Sequence, residues 1–173
     1  MDPSIPILIY PDPALRARAR SVATADRATL REVLPRMFAA MYAAPGIGLA
    51  APQVGLALRF CVIDLMPDDQ KAPLTLINPQ IVAASADLVT REEGCLSLPN
   101  QYADVIRPDG IRVQYQDLDG KSHRLDAEGL LATCIQHEID HLDGVLFIDH
   151  ISALKRNMLV RRLAKEQRQA RGA

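Results

Sequence analysis

The chain has 173 residues, 49% of them hydrophobic and 24% charged, which is the make-up of an ordinary folded unit with its own apolar core. A formal net charge of -1 gives no overall pull toward DNA or an anionic membrane, and no run approaches the roughly 18 apolar residues of a membrane span. Met1-Asp2-Pro3-Ser4 lacks the basic start and apolar stretch of a secretory signal, so the expectation is a cytoplasmic protein without DNA or membrane partners. The three cysteines, Cys61, Cys95 and Cys134, are too few and odd in number for a disulfide framework; each is core filler or a working thiolate.

In chain order, Ile7-Leu8-Ile9 reads as a short strand stopped by the turn Tyr10-Pro11-Asp12-Pro13. Leu30, Val33, Leu34, Met37, Phe38 and Met41 follow the i, i+3, i+4, i+7 pattern of an amphipathic helix over 26–43, with Pro35 expected to kink it or mark its start. Small residues dominate 46–55, predicting a tight loop. Strands are predicted over 58–65 and 74–83, the latter broken near Pro79. Ile111, Val113 and Tyr115 alternate with Arg112, Gln114 and Gln116, predicting a half-buried strand; Asp119-Gly120 signals a hairpin turn, with a return strand over 121–126. A helix over 129–142 is apolar most of the way round, which makes it central and buried, and Gly144 ends it. A last helix spans about 152–168. The pattern predicts a single α+β domain over 1–173, with antiparallel or mixed sheets packed around a central helix between N-terminal and C-terminal helices.

The central helix carries His137-Glu138-Ile139-Asp140-His141. Residues four apart share a helical face, so both imidazoles can reach one metal ion, while Glu138 lies beside them, within reach of a water at that ion. The bland alternative is a pair of hydrogen-bonded core histidines, but burying two His and two acids without partners costs several kcal/mol. A catalytic site takes a third protein ligand. His150 lacks the surrounding pattern of the common helical metallopeptidases. Cys61 suits a buried strand. Cys134, three residues before His137, is the competitor, but three neighbouring ligands on one helix would strain a tetrahedral site. Cys95, in Glu93-Gly94-Cys95-Leu96-Ser97-Leu98-Pro99, is preferred, with Cys134 as pocket lining.

Three motifs, GIGLAAPQVG at 46–55, EGCLSLP at 93–99 and QHEIDHLDG at 136–144, resemble the signatures of peptide deformylases, in the same order, and the likeness runs from ILIYPDPALR to the last helix. The resemblance implies a hydrolase of co-translational protein processing that removes the formyl group from formyl-methionyl nascent peptides and releases formate. It implies Cys95, His137 and His141 as ligands of one divalent ion, typically ferrous iron, with zinc, nickel or cobalt able to take its place. It implies Glu138 as acid/base and the Gln53 amide and Leu96 N–H as oxyanion donors. Ile47, Gly48 and Gly94 would offer backbone groups to an extended peptide, and Leu96, Leu130, Thr133, Cys134 and His137 would line the methionine pocket. Glu93, Asp140 and Arg107 are expected either to orient a ligand or to form a surface salt bridge. Between Lys155 and Arg171 seven Lys/Arg face one acid, Glu166; this predicts a solvated helix or, as the sharper expectation, a ribosome-docking surface. The competing readings are another HExxH-type metallopeptidase, a non-catalytic metal-binding relative and, remotely, a nucleic-acid module.

Overall fold

The computed structural model describes residues 5–173, so the expectation for Met1-Asp2-Pro3-Ser4 lies outside it. Helix α1 covers Arg27–Ala43 and buries Leu30, Val33, Leu34, Met37, Ala40 and Met41, as its apolar spacing demands. Pro35 neither starts nor ends it. It sits on the exposed side, as does Arg31, so the carbonyl that loses its partner faces water.

Strands β1 (Gly48–Ala50), β2 (Phe60–Ile63) and β3 (Leu74–Ala84) follow, then β4 (Leu88–Cys95), β5 (Leu98–Pro108), β6 (Gly110–Gln116) and β7 (Ser122–Glu128). One sheet has the order β1-β2-β3-β6-β7; β4 and β5 form a separate hairpin; all these pairings are antiparallel. Helix α2 spans Gly129–Leu142 and α3 spans Ala153–Arg171.

Strand β2 shows why the sheet sits between two helices. All four of its residues are buried because Phe60 and Val62 pack with α1, while Cys61 and Ile63 pack with Ile135, Ile139 and Leu142 of α2. Each large side chain buried this way contributes about 1.5–3 kcal/mol. A third cluster joins Leu98 and Val105 of β5 to Phe147, Ile148 and the α3 residues Leu159 and Leu163. The α+β class and its central and terminal helices follow the sequence pattern.

Three local expectations differ from the structure, and one element was not expected at all. Ile7-Leu8-Ile9 is not a strand; its backbone is used singly, Leu8 N–H donating to Gln53 O at 2.7 Å. The 46–55 segment is not only loop, since it forms β1 and then a 3₁₀ turn over Ala51–Val54. β3 continues through Pro79 by a shift in register beside Asn78, whose φ is +51°. The long β4–β5 hairpin has no counterpart in the predicted elements, because charged and apolar residues mix along it without a turn signal of the Asp-Gly kind. At the end of α2, Gly144 has φ +75°, and a Cβ there would lie 2.5 Å from Arg16 O, so chain reversal and close packing both require glycine.

Candidate metal centre

Two elements build the site. α2 presents His137 and His141 on successive turns, with ring centroids 5.0 Å apart, and the end of β4 brings in Cys95. One donor atom from each of the three lies within 4.8 Å of the others, and Cys95 Sγ is 3.3 Å from His141 Nε2. A thiolate and two imidazoles around one ion at about 2.0–2.3 Å have comparable separations. Beside this set the buried Glu138 Oε2 has no protein partner among the described residues. The donor chemistry and this oxygen fit a bound divalent ion. Cys134 is turned elsewhere, its thiol directed at Ile47 O at 3.8 Å, and Cys61 is core.

Behind His137 stands a buried charge network. His137 Nδ1 is 2.9 Å from Glu93 Oε1, so a proton on Nδ1 pairs with the carboxylate and Nε2 is left as the ligand atom. Arg107 donates to both Glu93 oxygens at 2.7 and 2.9 Å and to Asp140 at 2.8 Å; Asp140 also meets His150. The Glu93 and Arg107 side chains are 5% and 6% exposed, so this is no surface salt bridge. Burial alone would raise the Glu93 carboxyl, but the hydrogen bonds from His137 and Arg107 outweigh it and hold it at about 2. Burial opposes a charge on His137, yet contacts with Cys95 and Glu93 raise its pKa. Burial, then the charge of His137, lowers that of His141.

Glu138, 3% exposed, is pushed up to about 7 chiefly by burial. Gly48 makes its room: a Cβ there would collide with Glu138 Oε1 and come within 3.0 Å of Cys134 Sγ. Gln53 is fixed from both ends, its Oε1 accepting from Ala50 N–H at 2.8 Å and its Nε2 donating to Ser97 Oγ at 3.1 Å, 3.6 Å from Cys95 Sγ.

A cavity of about 530 Å³ opens over these groups. Ile47, Gly48, Gln53, Gly94, Cys95, Leu96, Leu130, Thr133, Cys134, His137 and Glu138 all border it; His141 lies behind. Leu130 stands at the rim, half exposed at 50%, rather than deep in the wall. The cavity runs between the outer edges of β1 and β4, each of which pairs with one strand only.

The model of the polypeptide deformylase family matches residues 4–157. A peptide deformylase of Mesorhizobium japonicum is 54% identical over 164 residues, 94% of this chain and 93% of that protein. One from Rhizobium meliloti is 52% identical over 97% of this chain and 96% of its own. Among solved structures, a peptide deformylase from Legionella pneumophila superimposes with a TM-score of 0.90 at 45% identity, covering 97% and 98% of the two chains. That of Synechococcus elongatus in complex with actinonin gives 0.86 at 46% identity, covering 92% and 88%.

The chain belongs to the polypeptide deformylase family.

For this deformylase the motif residues were readable in the sequence, but several neighbours were not. Ser97, fully buried, meets the Gln53 amide, and nothing in its motif position says so. Tyr102 lies across from Gly94 in the hairpin, where a Cβ would meet its ring at 2.5 Å, and both border the cavity mouth. Exposed Tyr102, Asp104 and Ile106 alternate with buried Gln101, Val105 and Arg107, but the apolar and polar residues do not follow that alternation, so the sequence held no signal for placing them on a strand.

Proposed function

We propose that this chain hydrolyses the formamide of N-formylmethionyl nascent peptides, with Cys95, His137 and His141 holding one divalent ion and Glu138 moving the proton. The observation that carries the reading is the meeting of three donor atoms at the base of one cavity, bordered by a glutamate whose Oε2 has no partner among the described residues and by a fixed amide. When bound, the ion supplies Lewis acidity and makes water a nucleophile near neutral pH. Glu138, raised to about 7, accepts a proton from the attacking water and passes it to the departing amine, so that formate and a free N-terminus result. Gln53 Nε2 and the Leu96 N–H donate to the oxygen that gains charge as the formyl carbon becomes tetrahedral; one such donor is worth about 10²–10³ in rate. Glu93 holds the His137 ring and its tautomer, and Arg107 holds Glu93.

The peptide enters as an added strand. Ile47 and Gly48 on one edge and Gly94 on the other offer backbone groups, a mode indifferent to most side chains. Leu96, Leu130, Thr133, Cys134 and His137 enclose the methionine side chain, with Leu130 closing the rim.

A thiolate with two imidazoles suits ferrous iron, zinc, nickel or cobalt. Ferrous iron is our choice of resident ion, and exposure to air then inactivates the enzyme. The basic side of α3, with Arg161, Arg162 and Lys165 exposed, docks on ribosomal RNA or protein.

The test is anaerobic purification, metal analysis and formate release from formyl-Met-Ala-Ser. Internal peptide cleavage without formate release would replace the reading with that of a metallopeptidase. Metal retention without either activity would make the chain a non-catalytic relative.

A further inference from the structure

His150 is not among the metal donors, yet it is bonded to the network behind them. It closes a 3₁₀ turn over Phe147–His150, between α2 and α3. Its Nε2 is 2.8 Å from Asp140 Oδ2, and the same oxygen accepts from Arg107 at 2.8 Å. That oxygen is the acceptor in both contacts, so His150 Nε2 carries the proton and donates it. The bonds then run on without a gap: Arg107 grips both Glu93 oxygens, and Glu93 Oε1 meets His137 Nδ1. One end of this chain is the ring of a metal donor; the other is an imidazole 36% exposed.

The same turn holds His137 a second way. Buried Phe147 lies against the His137 ring, with centroids 6.2 Å apart and planes at 22°. The turn itself is pinned, because Asp149 accepts from the Leu146 N–H at 2.9 Å and pairs with Arg16. Within the network, Arg107 gives two of its bonds to Glu93 and one to Asp140. Asp140 is the less enclosed carboxylate of the two, so water competes with Arg107 for it unless a second donor holds it in place. A guanidinium is a rigid plane, and an arm that loses its fixed end loosens the other two.

We propose that His150 is a positioning residue for the metal centre: by holding Asp140 it fixes Arg107 on Glu93, and through Glu93 the ring of His137. This rests on the reading of Cys95, His137 and His141 as the metal donors. The role needs a proton on Nε2 and no charge on the imidazole. Its consequence is a longer residence of the bound ion, since a donor ring that turns in its socket lets the ion go.

The experiment gives the zinc-loaded enzyme an excess of chelator and times the release of zinc. His150→Leu is expected to release zinc about 3- to 10-fold faster than wild type, below the roughly 10–100-fold effect of a partner bonded directly to a donor. His150→Gln, whose amide N–H reaches the same place, keeps the slow rate. In an Asp140→Ala background His150→Leu adds nothing, whereas a general loosening of the turn would add its effect there too. Equal release from wild type and His150→Leu overturns the proposal, as does fast release from His150→Gln or an undiminished effect without Asp140. In each of these cases, formate release from formyl-Met-Ala-Ser by the wild-type enzyme still upholds the deformylase reading. A wild-type chain that takes up no zinc overturns the reading of the metal donors, and this proposal with it.

Discussion

Helices α2 and α3 are similar in kind and opposite in use. α2 buries Ala132 to Ile139 without a break, and within that stretch it carries Thr133, Gln136, His137 and Glu138; His141 follows, also buried. α3 buries only Leu159 and Leu163 and leaves its many charges in water. His137, Glu138 and His141 on α2 therefore interact strongly and have shifted pKa values, whereas the charges on α3 are screened by water. The difference teaches where chemistry can reside: a glutamate is consequential when buried, as Glu138 is on α2, whereas the Lys and Arg of α3 stand in water and are individually replaceable.

The largest expected effect comes from removing the proton carrier on α2. Glu138→Gln should lower kcat for formate release by about 10²–10⁴-fold, while metal analysis shows an unchanged ion content. Full activity in that variant would remove Glu138 from the reaction. Chelation comes next. Stripping the ion should abolish formate release and lower the melting temperature, since an ion held only by the folded protein stabilises it; adding ferrous iron back under anaerobic conditions should restore both.

Arg107→Leu tests the buried support of the same helix. It leaves Glu93 as a buried charge with one partner fewer, and unfolding experiments should show a loss of about 3–5 kcal/mol. The sign with pH follows from the depressed Glu93 carboxyl. In the ion-free protein its stabilising contribution is present above the ordinary value of 4.5 and is lost as pH falls toward about 2. Acid unfolding of the variant should therefore depend less on pH across that window than acid unfolding of the ion-free wild type.

At the other end of the scale, the triple change Arg161→Glu, Arg162→Glu, Lys165→Glu on α3 should alter stability by less than about 0.5 kcal/mol per site and leave formyl-Met-Ala-Ser turnover within about twofold. Co-sedimentation with ribosomes at low salt should weaken strongly. If it does not, α3 is only a solvated helix.

Several elements were legible because they are local. The spacing of Leu30, Val33, Leu34, Met37 and Met41 specifies α1 without reference to the rest of the chain, and the positions of His137 and His141 follow from 3.6 residues per turn. The hairpin of β4 and β5 was not legible, because its pairing depends on a partner strand rather than on its own periodicity. The segment at 46–55 was misread for the same reason, since β1 is a strand only because β2 lies beside it.

By itself the sequence determined that two imidazoles and an acid share one side of a buried helix, and its three motifs indicated a deformylase. The sequence also preferred Cys95 to Cys134 as the third ligand; the tertiary structure supplies the reason, because the hairpin carries Cys95 back from 42 residues upstream while the packing of α2 on the sheet turns Cys134 toward Ile47. The roles open to Glu93 and Arg107 were decided there. A salt bridge on the surface and a clamp behind a histidine use the same residues, and only burial, read from the folded chain, tells them apart.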